Sequence, residues 1–171
     1  MSEQRITYEQ TVFIDAAPET VFPYLVDPAL MAQWIGSSHT LDAKPGGVFR
    51  IVFESGQVAL GAFTEVTPYR RVAFTWGWES AEGALASLKP GGSFVVFELE
   101  EHNGGTLLHL RHSGLPEDQA PCFGEEWSRY LGILAARFAA KVGAEVWNHE
   151  STDDKATFRT KDLKQTYGRL E

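Results

Sequence analysis

The residues able to do chemistry in this 171-residue chain are few, and their spacing limits what they can do. His109 and His112 sit three apart in a segment, Thr106 to His112, that alternates as a strand. Residues three apart on a strand point to opposite faces, so the pair cannot chelate one ion without a bulge. No metal site is expected. His112 shares its face with Leu108 and Leu110 and should look inward. There it is either a hydrogen-bonded core histidine, or a polar contact for a ligand, or a general acid/base. Cys122 lies near a predicted helix start, where the helix dipole favours a thiolate. No histidine is placed beside it, so an idle cysteine is expected. Glu126 reads as a solvated carboxylate next to the apolar stripe of the same helix. The chain has no Gly-x-Ser-x-Gly elbow, no P-loop and no dinucleotide fingerprint. Gly91-Gly92 and Gly104-Gly105 read as turn glycines.

The aromatic residues say more. Alternation puts Phe49 and Phe53 on one face of one strand, Phe74, Trp76 and Trp78 on one face of another, and Phe97 on a third. Trp127 and Tyr130 belong to the stripe of the last helix. Such a set either fills a core or walls a pocket with a few polar groups. Periodicity cannot separate the two.

The elements that must position these side chains follow from the same patterns. From Pro121 to Val142, Phe123, Trp127, Tyr130, Leu131, Leu134 and Phe138 recur at helical spacing, and the stripe must be buried against something. Arg5 to Asp15 alternates as a half-buried strand. Ala17-Pro18-Glu19 starts a helix, and Asp27-Pro28 breaks it and starts a second, up to Trp34 and Gly36. Five strands follow: Val48 to Glu54, Gln57 to Val66, Arg71 to Trp78, Ser93 to Glu100 and Thr106 to His112. Asn103-Gly104-Gly105 closes a hairpin between the last two. The expected class is α+β: an antiparallel six-stranded sheet against a long C-terminal helix, with two short helices after the first strand. Glu79 to Gly92 is long for a hairpin connection, has room for a helical turn at Ala84 to Lys89, and reads either as a lid or as a disordered tip. The expected division is a domain over residues 1–141 and an extension over 142–171, sparsely apolar and either docked, frayed or part of a homodimer.

Hydrophobic content of 43% is ordinary for a globular chain. The net charge of −8 argues against nucleic acid and anionic membranes. One cysteine excludes an internal disulfide. No apolar run is long enough for membrane insertion, and the N-terminus lacks a secretory h-region. A cytoplasmic location is expected, and no cofactor.

The chain resembles the single-domain proteins named after the activator of the heat-shock protein 90 ATPase, within the START-like helix-grip superfamily. The pieces that carry the resemblance run in register over roughly residues 6 to 140. They include Val12-Phe13-Ile14-Asp15-Ala16-Ala17-Pro18-Glu19, Trp34, Gly46-Gly47-Val48-Phe49-Arg50 and Gly61-Ala62-Phe63-Thr64-Glu65-Val66-Thr67-Pro68. Val72-Ala73-Phe74-Thr75-Trp76, Gly104-Gly105-Thr106-Leu107-Leu108, His112-Ser113-Gly114-Leu115-Pro116 and Trp127 complete them. At the start of the last helix the family often shows His and then Gly-Trp, whereas here Glu126 precedes Trp127. The resemblance implies a curved sheet gripping the C-terminal helix, with a cavity between. Relatives include lipid carriers, hormone receptors, polyketide cyclases and co-chaperone domains, so fold does not fix function.

Three functions follow as expectations. The favoured one is non-enzymatic binding of a small hydrophobic molecule by Phe49, Phe53, Phe74, Trp76, Trp78, Phe97, His112, Trp127 and Tyr130. The second is a cyclase- or dehydratase-type enzyme using the same cavity, with His112, Tyr130 or Glu126 as acid/base. The third is a co-chaperone-like domain that contacts a chaperone through its surface.

Overall fold

Val72, Phe74, Trp76 and Trp78 are all buried, and the strand that carries them, Arg71–Ser80, holds the middle of the sheet. The computed structural model describes residues 4–150. In chain order these form β1 (Arg5–Ile14), three helical turns α1 (Pro18–Val21), α2 (Pro23–Val26) and α3 (Pro28–Met31), then β2 (Ser38–Leu41), β3 (Val48–Val52), β4 (Val58–Thr67) and β5 (Arg71–Ser80). A 3-10 turn (Gly83–Ser87), β6 (Ser93–His102), β7 (Gly105–Pro116) and α4 (Ala120–Glu150) follow. The strands make one open antiparallel sheet in the order β1-β7-β6-β5-β4-β3-β2.

The sheet therefore has seven strands, one more than the sequence patterns show. The addition is β2, four residues on the edge of β3, with His39 opposite Ile51 and Leu41 opposite Phe49. Ser38, His39 and Thr40 give it no apolar alternation, so it is specified by its partner and not by its own pattern. The short helices also differ from expectation. Pro23 divides the first into α1 and α2, because its ring displaces the preceding turn and it has no N–H to donate. Asp27 caps α3, accepting from the N–H groups of Ala29 and Leu30 at 2.9 and 3.2 Å.

Register places the large residues in rows. Phe74 is opposite Val95, Val95 opposite His112, and His112 opposite Tyr8, crossing four strands. The next row runs Val72, Phe97, Leu110. Against these rows α4 buries Phe123, Trp127, Leu131, Leu134 and Ala135, with Tyr130 and Phe138 half-buried. Trp127 meets Phe97 edge to face, ring centres 5.8 Å apart. His102 pairs with Gly105, leaving Asn103 and Gly104 as a two-residue turn with φ of 51° and 81°. That is the left-handed geometry the Asn-Gly signal predicts.

The boundary expected at 141/142 falls inside α4, and residues 151–171 of the expected extension lie outside the described residues. Among the described residues no helix is long and apolar enough to cross a membrane.

Candidate functional site

The β5–β6 ladder stops at Trp76 opposite Ser93. Beyond it β5 continues beside β4 alone, with Trp78 opposite Ala59 and Ser80 opposite Val58. The chain leaving β5 then folds back on it, and the Trp78 N–H donates to the Leu88 carbonyl at 2.7 Å. Gly77 permits this approach: a Cβ there would lie 1.8 Å from the carbonyl oxygen of Lys89. Leu88 is thereby buried. Gln119, just before α4, donates its amide to the Ala84 carbonyl at 2.7 Å and to Ser87 Oγ at 2.9 Å. The 3-10 turn is thus tied to the start of the helix.

Where the ladder ends and α4 begins, a cleft of about 590 Å³ opens. Seven rings form much of its wall, Trp34, Phe53, Trp76, Trp78, Phe123, Trp127 and Tyr130, with Leu85 brought in by the 3-10 turn. The lining also includes exposed polar residues, among them Gln33, Glu54, Ser55, Cys122, Glu126 and Arg129. The rings contact one another closely. Phe53 lies between Trp78 at 5.9 Å and Tyr130 at 6.1 Å, and Trp76 meets Trp78 at 5.6 Å with their planes at 83°.

Five of the nine expected site residues line this cleft: Phe53, Trp76, Trp78, Trp127 and Tyr130. Phe49, Phe74, Phe97 and His112 do not. Phe49 stacks on Phe74 at 3.8 Å, Phe63 closes on both, and Phe97 fills the space below Trp127. The concave face is therefore packed solid at one end and open at the other. Residues that pattern alone did not mark include Trp34, Gln57, Leu85 and Arg129. Phe123 was visible in the helical stripe, but nothing in its spacing distinguished a wall from a core position. Trp34 comes from a segment with no periodicity at all, where its indole N–H donates to the Tyr24 carbonyl at 2.9 Å.

Behind the cleft wall is a buried polar relay. The Trp127 indole N–H donates to His112 Nδ1 at 3.0 Å. Ser93 Oγ lies 2.8 Å from His112 Nε2 and 2.7 Å from the Trp76 carbonyl oxygen. An indole N–H can only donate and a carbonyl can only accept, which fixes the protons. His112 carries its proton on Nε2 and gives it to Ser93 Oγ, and the Ser93 hydroxyl gives its own to Trp76. His112 is fully buried, and burial pushes its pKa down to about 3, so the ring is neutral at ordinary pH. Both of its nitrogens are engaged inside the protein. It holds Trp127, one wall of the cleft, in place.

His109 faces the other way, against Thr11 Oγ1 at 2.8 Å and Glu100 at 2.9 Å. Among the described residues no three His, Cys, Asp or Glu side chains are grouped to hold a metal ion. Burial, and then Glu126 and Glu125, push the Cys122 thiol up, away from thiolate. Burial also raises the Tyr130 phenol. Arg129 lies over the Tyr130 ring at 4.4 Å and donates to Glu126 at 2.7 Å.

Three buried side-chain atoms have no hydrogen-bond partner among the described residues: Trp76 Nε1, Trp78 Nε1 and Gln119 Oε1. Each such group costs roughly 1–3 kcal/mol relative to a satisfied one. Two of the three belong to indoles of the cleft wall.

The sequence model of the family described as Activator of Hsp90 ATPase homolog 1-like protein matches residues 15–139. No curated protein sequence matches the chain. An AHSA1-like protein from Rhizobium etli is 34% identical in solution structure over 77% of this chain and 81% of that one, with a TM-score of 0.61. DynU16, a protein in the dynemicin biosynthetic locus, is 23% identical over 75% of this chain, with a TM-score of 0.64. This chain spans only 45% of DynU16. The Aha1 dimer from Colwellia psychrerythraea is 19% identical over 78% of this chain and 96% of its own, with a TM-score of 0.64. The last two likenesses speak for the fold alone. With a family match from Asp15 to Ala139 and a relative 34% identical over 77% of the chain, the chain belongs to the Activator of Hsp90 ATPase homolog 1-like family, of the helix-grip fold.

Proposed function

We propose that this protein binds a small hydrophobic molecule in the cleft between α4 and the sheet, as a carrier or sensor without catalysis. The observation that carries the reading is the ring-walled cleft of about 590 Å³ beside an otherwise packed core. Small-molecule sites commonly have volumes of ~300–1,000 Å³, apolar walls and a few placed polar groups. A three-ring aromatic that buries about 200 Å² of apolar surface gains roughly 5 kcal/mol at ~25 cal/mol per Å².

Two other readings compete. A cyclase- or dehydratase-type enzyme needs ionisable groups converging on the substrate. His112 has both nitrogens engaged, and Glu126 is paired with Arg129, which favours binding over acid–base work. A co-chaperone-like contact, suggested by the likeness to the Aha1 dimer, would use the outer surface and leave the cleft idle. The discriminating experiment is a titration with fatty acids, sterols, flavonoids and aromatic polyketides, followed by tryptophan fluorescence. Trp34, Trp76, Trp78 and Trp127 all line the cleft, so binding should change the signal. Trp76→Ala should weaken binding more than the exposed change Glu100→Ala. A flat response to the whole panel would favour the surface role.

A further inference from the structure

We propose that the 3-10 turn Gly83–Ser87 is a hinged flap on the cleft and that Gln119 is its latch, so that release of one side chain sets how fast the cleft exchanges its occupant. The proposal rests on the cleft being a ligand site and adds a control to it. The connection from Glu79 to Gly92 is held in two unlike ways. Its second half is anchored: Leu88 is 1% exposed, its carbonyl accepts from the Trp78 N–H, and the Lys89 carbonyl lies hard against Gly77. The turn before it has no such anchor. Gly83–Ser87 contains no buried residue. Among the described residues its backbone makes no backbone hydrogen bond to another element. Its polar tether is the Gln119 amide, which donates to the Ala84 carbonyl at 2.7 Å and to Ser87 Oγ at 2.9 Å. Leu85 is the residue of this connection that lines the cleft, so the tether holds one wall in place.

Gln119 and Gly83 suit these parts. The Gln119 backbone is fixed at the junction of β7 and α4: its N–H donates to the Pro116 carbonyl at 3.0 Å, and its carbonyl accepts from the Phe123 N–H at 3.1 Å. The tether therefore springs from a rigid element. Its amide nitrogen is fully used, but Oε1 is buried with no donor. Exchanging the amide's oxygen and nitrogen would set two acceptors face to face at Ala84, so the vacancy stays with the oxygen. A buried acceptor without a donor works against the closed latch, and opening gives that oxygen to water. Gly83 supplies the hinge. Its φ is 67°, and a Cβ there would meet nothing within 4 Å, so the left-handed backbone and not the space asks for glycine.

The first arm of the test needs no ligand. Hydrogen exchange on the full-length protein, corrected for intrinsic rates, should place the Gln119 side-chain amide between that of the exposed Gln33 and the backbone amide of Leu108 in the core. A Gln119 amide as fast as that of Gln33 means that no latch is made. One as slow as Leu108 means that the turn opens only with the whole chain. Either result overturns the flap. The second arm is stopped-flow mixing with N-phenyl-1-naphthylamine, a neutral apolar fluorophore. Gln119→Ala should raise its association and dissociation rates together by roughly tenfold, the scale of one net hydrogen bond. The latch is the same over an empty and a filled cleft, so Kd should hold within about threefold. Ser87→Ala removes one acceptor at an exposed position and should move both rates the same way by less. It tests the latch even where Gln119→Ala fails to fold. Faster dissociation alone, with Kd rising in step, makes Gln119 a support of the wall and overturns the latch. Unchanged rates in both variants overturn it too and leave the cleft reading standing. No binding of the fluorophore, together with a flat response to the wider panel, overturns the cleft reading and with it this control of exchange.

Discussion

Lowering the pH from 7 to 5 should destabilise this protein through His112. The imidazole is fully buried, and its folded pKa lies at about 3, against about 6.5 in an unfolded chain. Above pH 6.5 both states hold it neutral, and it adds no pH dependence. Between 6.5 and 3 the unfolded chain binds the proton and the folded one does not, so stability falls as the pH falls. Below 3 the effect is complete. The difference of about 3.5 units caps the loss at roughly 5 kcal/mol, with about 2 kcal/mol already lost at pH 5. That is a large share of a typical ~5–15 kcal/mol. The assay is urea unfolding at pH 7 and pH 5 for the native protein and for His112→Gln. The glutamine amide can accept from Trp127 and donate to Ser93, but cannot titrate. It should cost ~1–3 kcal/mol at pH 7. At pH 5 its deficit should shrink by about 2 kcal/mol, because the native protein alone carries the His112 proton linkage. Parallel losses in the two proteins would refute the buried, neutral histidine.

Other changes test the elements that build the cleft. Gly77→Ala forces a Cβ to within 1.8 Å of the Lys89 carbonyl, so the connection must move. The expected cost is ~1–3 kcal/mol in chemical denaturation, with altered ligand binding because Leu85 shifts. Trp127→Phe keeps an aromatic wall but strips His112 Nδ1 of its donor, and should lower stability by roughly 1–3 kcal/mol. A Phe variant as stable as the native protein would mean the relay contributes nothing. A chain ending at Gly114 loses the whole stripe of α4. At ~2–5 kcal/mol for each large core side chain, it should show no cooperative melt by circular dichroism.

Much of this architecture was legible in the chain. Every strand with large residues at alternate positions is present, because burying rings on one face demands that spacing. The Asn103-Gly104 turn needs left-handed backbone, and those residues supply it cheaply. β2 was not legible, since Ser38, His39 and Thr40 owe their strand to the edge of β3. The site was legible only in part. Phe74 and Trp76 share a face and a pattern, yet one is packed under Phe49 and the other borders the cleft. What separates them is where the β5–β6 ladder stops, a pairing event that alternation does not encode. Ser93 and His112, 19 positions apart, meet through the β6–β7 pairing, so the relay could not be read in advance, although the inward facing of His112 was.

Cys122 offers the most direct test of the cleft. It is the only cysteine in the sequence, it is exposed, and it is among the residues that line the cleft. A bulky maleimide adduct on that thiol should fill the space against Phe123 and Glu126 without entering the core. The measurement is the dissociation constant of the best panel compound for adduct and native protein, with melting curves to show that both are folded. Loss of binding by at least tenfold, with melting unchanged, is the predicted result. Undiminished affinity in the fully labelled protein would contradict the assignment of this cleft as the ligand site.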